Sequence, residues 1–218
     1  MRLVDVLALT ILLVLSHAAS VAAGAASSYP ALLARVRNSP PPAPIEELFE
    51  LGMSTGDSLA LPGFTILDDG IYEGSIPDPA FFAELARRHG DAADTAFFAA
   101  FGATSASGIL PVYVEQMTDY SGCTRFGTGS LVETYGLWRA FLALYPHRYE
   151  KRARDQVDEV LDELVSGECA CEGRAAVMRE LELFLSKYPR DRSSARVRER
   201  LRDVRSGTAK VREHCRPG

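Results

Sequence analysis

The stretches "WRAFLALYPHRYEKRA" from Trp138 and "LELFLSKYPRDRSSAR" from Leu181 superimpose at an offset of 43 residues. Phe141 matches Phe184, Leu142 matches Leu185, Tyr145 matches Tyr188 and Pro146 matches Pro189. Each stretch lies in a helical period. Leu131, Tyr135, Trp138, Leu142 and Tyr145 recur at intervals of three and four residues and form one face of a helix that Pro146 stops. Tyr149, Ala153, Val157, Val160, Leu161 and Leu164 form a second, ending at Ser166 and Gly167. Val177, Leu181, Phe184, Leu185 and Tyr188 form a third, stopped by Pro189. Val197, Leu201, Val204, Thr208 and Val211 continue in a fourth, with a break expected at Ser206 and Gly207. Ser130 and Glu133 have the spacing of a capping box at the start of the first. A helix, Tyr-Pro turn, helix unit that occurs twice predicts stacked hairpins, each burying the face its neighbour leaves open.

At these residues, from about Glu133 to Val204, the chain resembles the tetratricopeptide class, and in particular envelope proteins of bacteria whose repeats carry a Tyr-Pro turn. The resemblance implies a groove-forming scaffold for a protein or peptide, with no catalytic residue and no cofactor. Two departures stand against it. The offset exceeds the usual 34 residues, and the Trp-x-x-Leu-Gly-x-x-Tyr order is absent.

The fold class expected is therefore mostly α. Residues 1–25 read as a signal peptide: Arg2, then the apolar run Val6 to Leu15, then small residues to Ala26, in the order that marks export. The run is shorter than the ~20 residues a membrane span needs, and no later apolar run exists. The absence of a cysteine near the cut argues against a lipid anchor. Residues 26–77 read as a short helical stretch, the stiff linker "NSPPPAP", a short helix from Ile45 to Met53, and loop with a brief strand at Phe64 to Leu67. Residues 78–128 read as a helical hairpin and a polar loop. Asp78 caps its first helix with Pro79 at the first helical position, Gly90 stops it, and Asp91 caps the next. The phenylalanines of the two helices (81, 82, 97, 98 and 101) recur at helical spacing and are expected in a core. Residues 129–218 hold the two Tyr-Pro hairpins, and 78–218 are expected to form one domain.

Charge is divided along the chain. Gly24 to Tyr145 holds 6 basic and 14 acidic residues, whereas Lys187 to Gly218 holds 11 basic and 4 acidic. No aromatic residue interleaves the terminal arginines and acidic residues interrupt them, so a solvated helix face is favoured over a nucleic-acid platform.

The segment "VYVEQMTDYSGCTRFGTGS", 112–130, looks least like scaffold. It concentrates Glu115, Gln116, Asp119, Tyr120 and Arg125 beside Cys123, and these are the candidate binding residues. The part from Pro111 is read as a helix, with a strand left open by Val112 and Val114. As a helix it would place Glu115 and Asp119 on one face at i, i+4, where two carboxylates could serve an envelope glycoside hydrolase as acid and nucleophile or base. The plainer reading of that face is solvated ion pairs. No Ser-His-Asp arrangement, phosphate loop or dinucleotide fingerprint is present.

An even set of four cysteines, Cys123, Cys169, Cys171 and Cys215, in an exported chain favours disulfides. Antiparallel helices of similar length bring Cys123 and the Cys-Ala-Cys loop to one end of a hairpin. Cys123 is therefore expected to bond Cys169 or Cys171, leaving the other near Cys215. Four thiolates with His214 could instead hold zinc, but the spacing lacks the usual Cys-x-x-Cys pair and the compartment is oxidising. Taken together, the residues predict a periplasmic or secreted binding or scaffold protein. Its partner would be a protein or peptide of the cell envelope, with no nucleic acid and no membrane span once the signal is removed.

Overall fold

The computed structural model describes residues 28–55, 60–68, 73–105, 110–118 and 121–213. Residues 1–25, read above as a signal peptide, and Asp119, Tyr120, His214 and Cys215 lie outside them. The chain is mostly helical with a few short strands, in two compact units divided between Thr95 and Ala96. No helix among the described residues is long and apolar enough to cross a membrane.

The first unit holds α1 (28–38), α2 (Ile45–Ser54), an antiparallel hairpin of β1 (Phe64–Asp68) and β2 (Glu73–Pro77), α3 (Pro79–His89) and the start of α4 (Ala92–Thr104). The strand expected at Phe64 thus has a partner that its glycine-rich neighbourhood concealed. Phe82 is the hub of the core, edge-to-face with Phe49 at 5.1 Å and Phe64 at 5.4 Å, while Tyr29 meets Phe64 at 5.9 Å. A Cβ on Gly52 would lie 2.3 Å from the Phe64 ring, so only glycine lets α2 come this close. The Asp78 carboxylate accepts from the Ala80 amide, as the capping pattern requires. Asp91 and Asp94 form a reciprocal box at the start of α4: Asp91 accepts from the Ala93 and Asp94 amides, and buried Asp94 accepts from the Asp91 amide.

The second unit contains the rest of α4, β3 (Val114–Thr118), β4 (Ser121–Thr124), α5 (Ser130–Leu144), α6 (Glu150–Ser166), β5 (Cys169–Ala170), α7 (Gly173–Lys187), α8 (Ser194–Ser206) and β6 (Arg212–Glu213). Helix α5 packs on α6 and α7, and α8 packs on α6 and α7. Trp138, Phe141 and Phe184 are buried as expected. Phe97 of α4 stacks on Tyr149 at 3.8 Å and meets Trp138 and Phe141 at 5.5 and 5.6 Å. The phenylalanines at 81–82 and 97–98 therefore contribute to the cores of different units.

The two Tyr-Pro turns have the same backbone. Tyr145 (φ −133°, ψ 66°) and Tyr188 (φ −125°, ψ 54°) each end a helix by donating 2.8 Å to the carbonyl four residues back. Each then accepts from the amide three residues on at 3.2 Å, Arg148 in one case and Asp191 in the other. Past this point the offset becomes 44 residues, with buried Ala153, Val157 and Val160 answering buried Val197, Leu201 and Val204.

Two expectations for this unit need correction. The segment after Pro111 is a turn and then strand β3, not a helix; β-branched Val112 and Val114 are in keeping with extended chain. The Ser130–Glu133 capping box is absent: the N-cap of α5 is Gly129, in the left-handed region, with no side-chain cap of its own. The fourth helix ends at Ser206, at the expected break, and Gly207 (φ 82°) turns the chain so that Thr208 and Val211 lie beyond the helix. That turn returns the chain to β6, which pairs in parallel with β5.

Candidate functional site

Strands β3 and β4 form an antiparallel hairpin with Val114 opposite Thr124, Glu115 opposite Cys123 and Gln116 opposite Gly122. The hairpin is the outer half of a four-stranded sheet of order β3-β4-β5-β6, in which β4 and β5 run parallel through Thr124 and Ala170. Three attachments hold its base. Cys123 is bonded to Cys171, Cα atoms 5.0 Å apart. The Cys171 amide donates to the Thr124 carbonyl at 3.0 Å. The Thr124 hydroxyl donates to the Glu163 carboxylate on α6 at 2.6 Å. The Cys123 expectation is thus met at one of its two alternatives. Cys169 is also disulfide-bonded, and no cysteine among the described residues is free. Its expected neighbour Cys215 lies outside the described residues. It follows Arg212, which is paired with Cys169 in the sheet. Among the described residues no cluster of His, Cys, Asp and Glu could hold a metal.

Glu115, Gln116 and Arg125 are exposed. The Arg125 amide donates to the Tyr113 carbonyl at 2.8 Å, fixing its backbone, while its guanidinium makes no ion pair among the described residues. The i, i+4 helical geometry proposed for Glu115 and Asp119 does not exist, because Glu115 sits on a strand whose register shifts between Gln116 and Thr118.

Beneath the hairpin lies a group that sequence reasoning missed. Tyr113 is buried, and burial pushes its phenol pKa far up, with Glu159 and Glu163 of α6 adding to the shift. Burial also raises the Glu159 carboxyl, helped by Asp155. The phenol is therefore held neutral as a packing element of the hairpin's base.

The second missed residue is Glu180, fully buried on α7. One carboxylate oxygen accepts from the Gly127 and Gly129 amides, both at 2.8 Å, and the other from the Val132 amide at 3.2 Å. It supplies from a distance of 48 to 53 residues the cap that α5 lacks locally, and a negative charge at a helix N-terminus is favourable. Gly127 (φ 81°) and Gly129 (φ 84°) turn their amides toward it in a conformation that suits glycine. The available signal was a charged residue inside the apolar stripe of α7, between Val177 and Leu181.

At the far end of α7, Asp191 joins the two hairpins. It accepts from the Tyr135 hydroxyl of α5 at 2.7 Å and from the Ser193 amide at 2.8 Å, with the Arg139 guanidinium 3.7 Å away. Burial acts to raise its pKa, but these partners outweigh it and hold the carboxyl below its ordinary value. The arginine-rich helix is largely committed to scaffold: Arg198 donates to the Pro189 carbonyl, Arg200 to Gly167 and Arg205 to Glu182.

Comparison of the chain with protein-family models, curated proteins and solved structures finds no match.

Proposed function

We propose that this chain is an exported binding or scaffold protein of the cell envelope, periplasmic or secreted, that presents the β3–β4 hairpin to a protein or peptide partner. The observation that carries this reading is the hairpin's construction. Its base is held by a disulfide, a strand ladder and a side-chain hydrogen bond, while Glu115 and Gln116 on β3 and Arg125 just past β4 remain exposed. Ordering a side chain on binding costs about 0.5–1.5 kcal/mol, and a pre-fixed surface avoids part of that cost. Asp119 and Tyr120 belong to the same proposed surface by their place in the chain.

Export is supported by the basic, apolar, small-residue order of residues 1–25 and by the disulfide, which persists in oxidising compartments. The tetratricopeptide-like reading is supported by the matched Tyr145 and Tyr188 turns and the aligned buried positions of α6 and α8. The test is capture from a native envelope fraction by the wild type and by the Glu115→Ala, Gln116→Ala, Arg125→Ala triple variant. A partner should be lost from the variant while the melting temperature is unchanged. Equal capture by both would refute the hairpin as the binding surface.

A further inference from the structure

We propose that the recess at the second Tyr-Pro turn, lined by Arg139, Lys187, Tyr188, Pro189, Arg190 and Asp191, binds a phosphate-bearing ligand. It is a site separate from the hairpin, at the opposite end of α7, a helix of 15 residues and so about 22 Å long at 1.5 Å per residue.

Arg139 is pre-positioned. Asp191 stands 3.7 Å from its guanidinium, which also lies 5.9 Å from the centre of the Tyr135 ring. Asp191 is itself fixed by the Tyr135 hydroxyl and the Ser193 amide. Yet the guanidinium makes no hydrogen bond among the described residues, and its side chain is 49% exposed, so its planar fork of donors remains available. Lys187 ends α7 and Arg190 lies in the turn. Both are exposed, and neither has a charged partner among the described residues. Tyr188 is seated by Gly136, where a Cβ would come 2.3 Å from its hydroxyl oxygen.

The fold does not require this charge. The first turn has the same backbone, with Leu144 where the second has Lys187 and His147 where it has Arg190. Three cations beside one carboxylate leave the recess with a balance of +2. A phosphate monoester, at about −1.5 to −2 near neutral pH, matches that balance, and a single carboxylate does not. The recess is shallow and open to solvent, so a larger body carrying the phosphate would rest against Tyr188 and Pro189 without being enclosed.

The test titrates the full mature chain at low salt with glycerol 3-phosphate by calorimetry. In parallel, phosphatidic acid and phosphatidylcholine vesicles are tested by co-sedimentation, the first carrying a phosphate monoester headgroup. Saturable binding of glycerol 3-phosphate, weakened about tenfold or more in the Lys187→Ala, Arg190→Ala double variant, supports a soluble phosphate ligand. Binding of phosphatidic acid vesicles alone, lost in the same variant, assigns the phosphate monoester to a lipid headgroup. Arg190→Glu, a single surface change, repeats the comparison if the double variant folds poorly. Arg202→Ala on exposed α8 should bind as the wild type does. The proposal is overturned by silence of both probes, by undiminished binding in the recess variants, by an equal loss in Arg202→Ala, or by acetate binding as tightly as glycerol 3-phosphate.

Discussion

The two helix pairs of the second unit turn alike and are filled differently. In the first, Tyr149 begins α6 with φ 48° and stacks on Phe97; in the second, the corresponding ground is taken by buried Ser193 and Ser194. At an offset of 43, Leu137, 39% exposed, stands where Glu180 is fully buried. The same local sequence fixes the turn in both, because proline ends the helix and the tyrosine amide closes its last bond. What surrounds the turn is set by neighbours. Glu180 is buried because α7 passes the uncapped start of α5, whereas Leu137 lies on a partly exposed face of α5.

This contrast can be broken at several points. The largest effect is expected in the shared core. Phe141→Ala and Phe184→Ala occupy equivalent buried positions and should each cost about 3–5 kcal/mol in denaturant unfolding. A loss under about 1 kcal/mol at either would remove the equivalence. Opening the Cys123–Cys171 bond by a Cys→Ser pair should cost roughly 4 kcal/mol in the chain-entropy treatment, for a loop closed across 48 residues. A loss of similar size shared by both helix pairs would show that the clamp acts on the unfolded chain and not on the hairpin alone.

The next comparison swaps chemistry between matched positions. Glu180→Leu strands three amides, two of them in buried bonds, and should destabilise by about 3 kcal/mol, while Leu137→Glu on the exposed face should stay within about 0.5 kcal/mol. Equal effects would mean that Glu180 is not the cap of α5.

The smallest effect is the link between the pairs. Tyr135→Phe removes one hydrogen bond to the Asp191 carboxylate, worth about 1.5 kcal/mol. Because the folded-state pKa of Asp191 is lowered, its contribution is fully present above the ordinary carboxylate value of about 3.9 and fades as pH falls through the folded value. The melting-temperature gap between wild type and Asp191→Asn should therefore be constant near neutral pH and shrink below about pH 4. A gap that grew on acidification would contradict the assignment.

Period and punctuation carried the helical part of this fold. Pro146, Pro189, Gly90 and Gly207 end helices where they stand in the chain, and the buried stripes follow the apolar spacing. The sheet was harder to read. β4, β5 and β6 are two to four residues long, too short for alternation to register, and they exist because the disulfide end brings three separate segments together. Helix and strand compete in the β3 segment because Glu115, Gln116 and Met117 favour helix and Val112 and Val114 favour extended chain, while its partner strand contributes only Ser121, Gly122, Cys123 and Thr124. At the candidate site, Cys123 and its neighbours were legible from the helix lengths, since equal antiparallel helices return the chain to one end. Glu163, Glu180 and Asp191 were not, because each acts on a residue 39 to 56 positions away. Local pattern assigned the cap of α5 to Ser130, and tertiary packing gave it to Glu180.

The central claim is that the β3–β4 hairpin is a fixed surface, clamped at its base to the helical unit. Native-state hydrogen exchange measured on the oxidised protein, and again after selective reduction, tests it most directly. The account predicts protected amides at Arg125 and Cys171 in the oxidised protein, and a large loss of protection in the hairpin on reduction, before the helices α5 to α8 open. Hairpin amides that exchange at unfolded-chain rates while the disulfide is intact would contradict it.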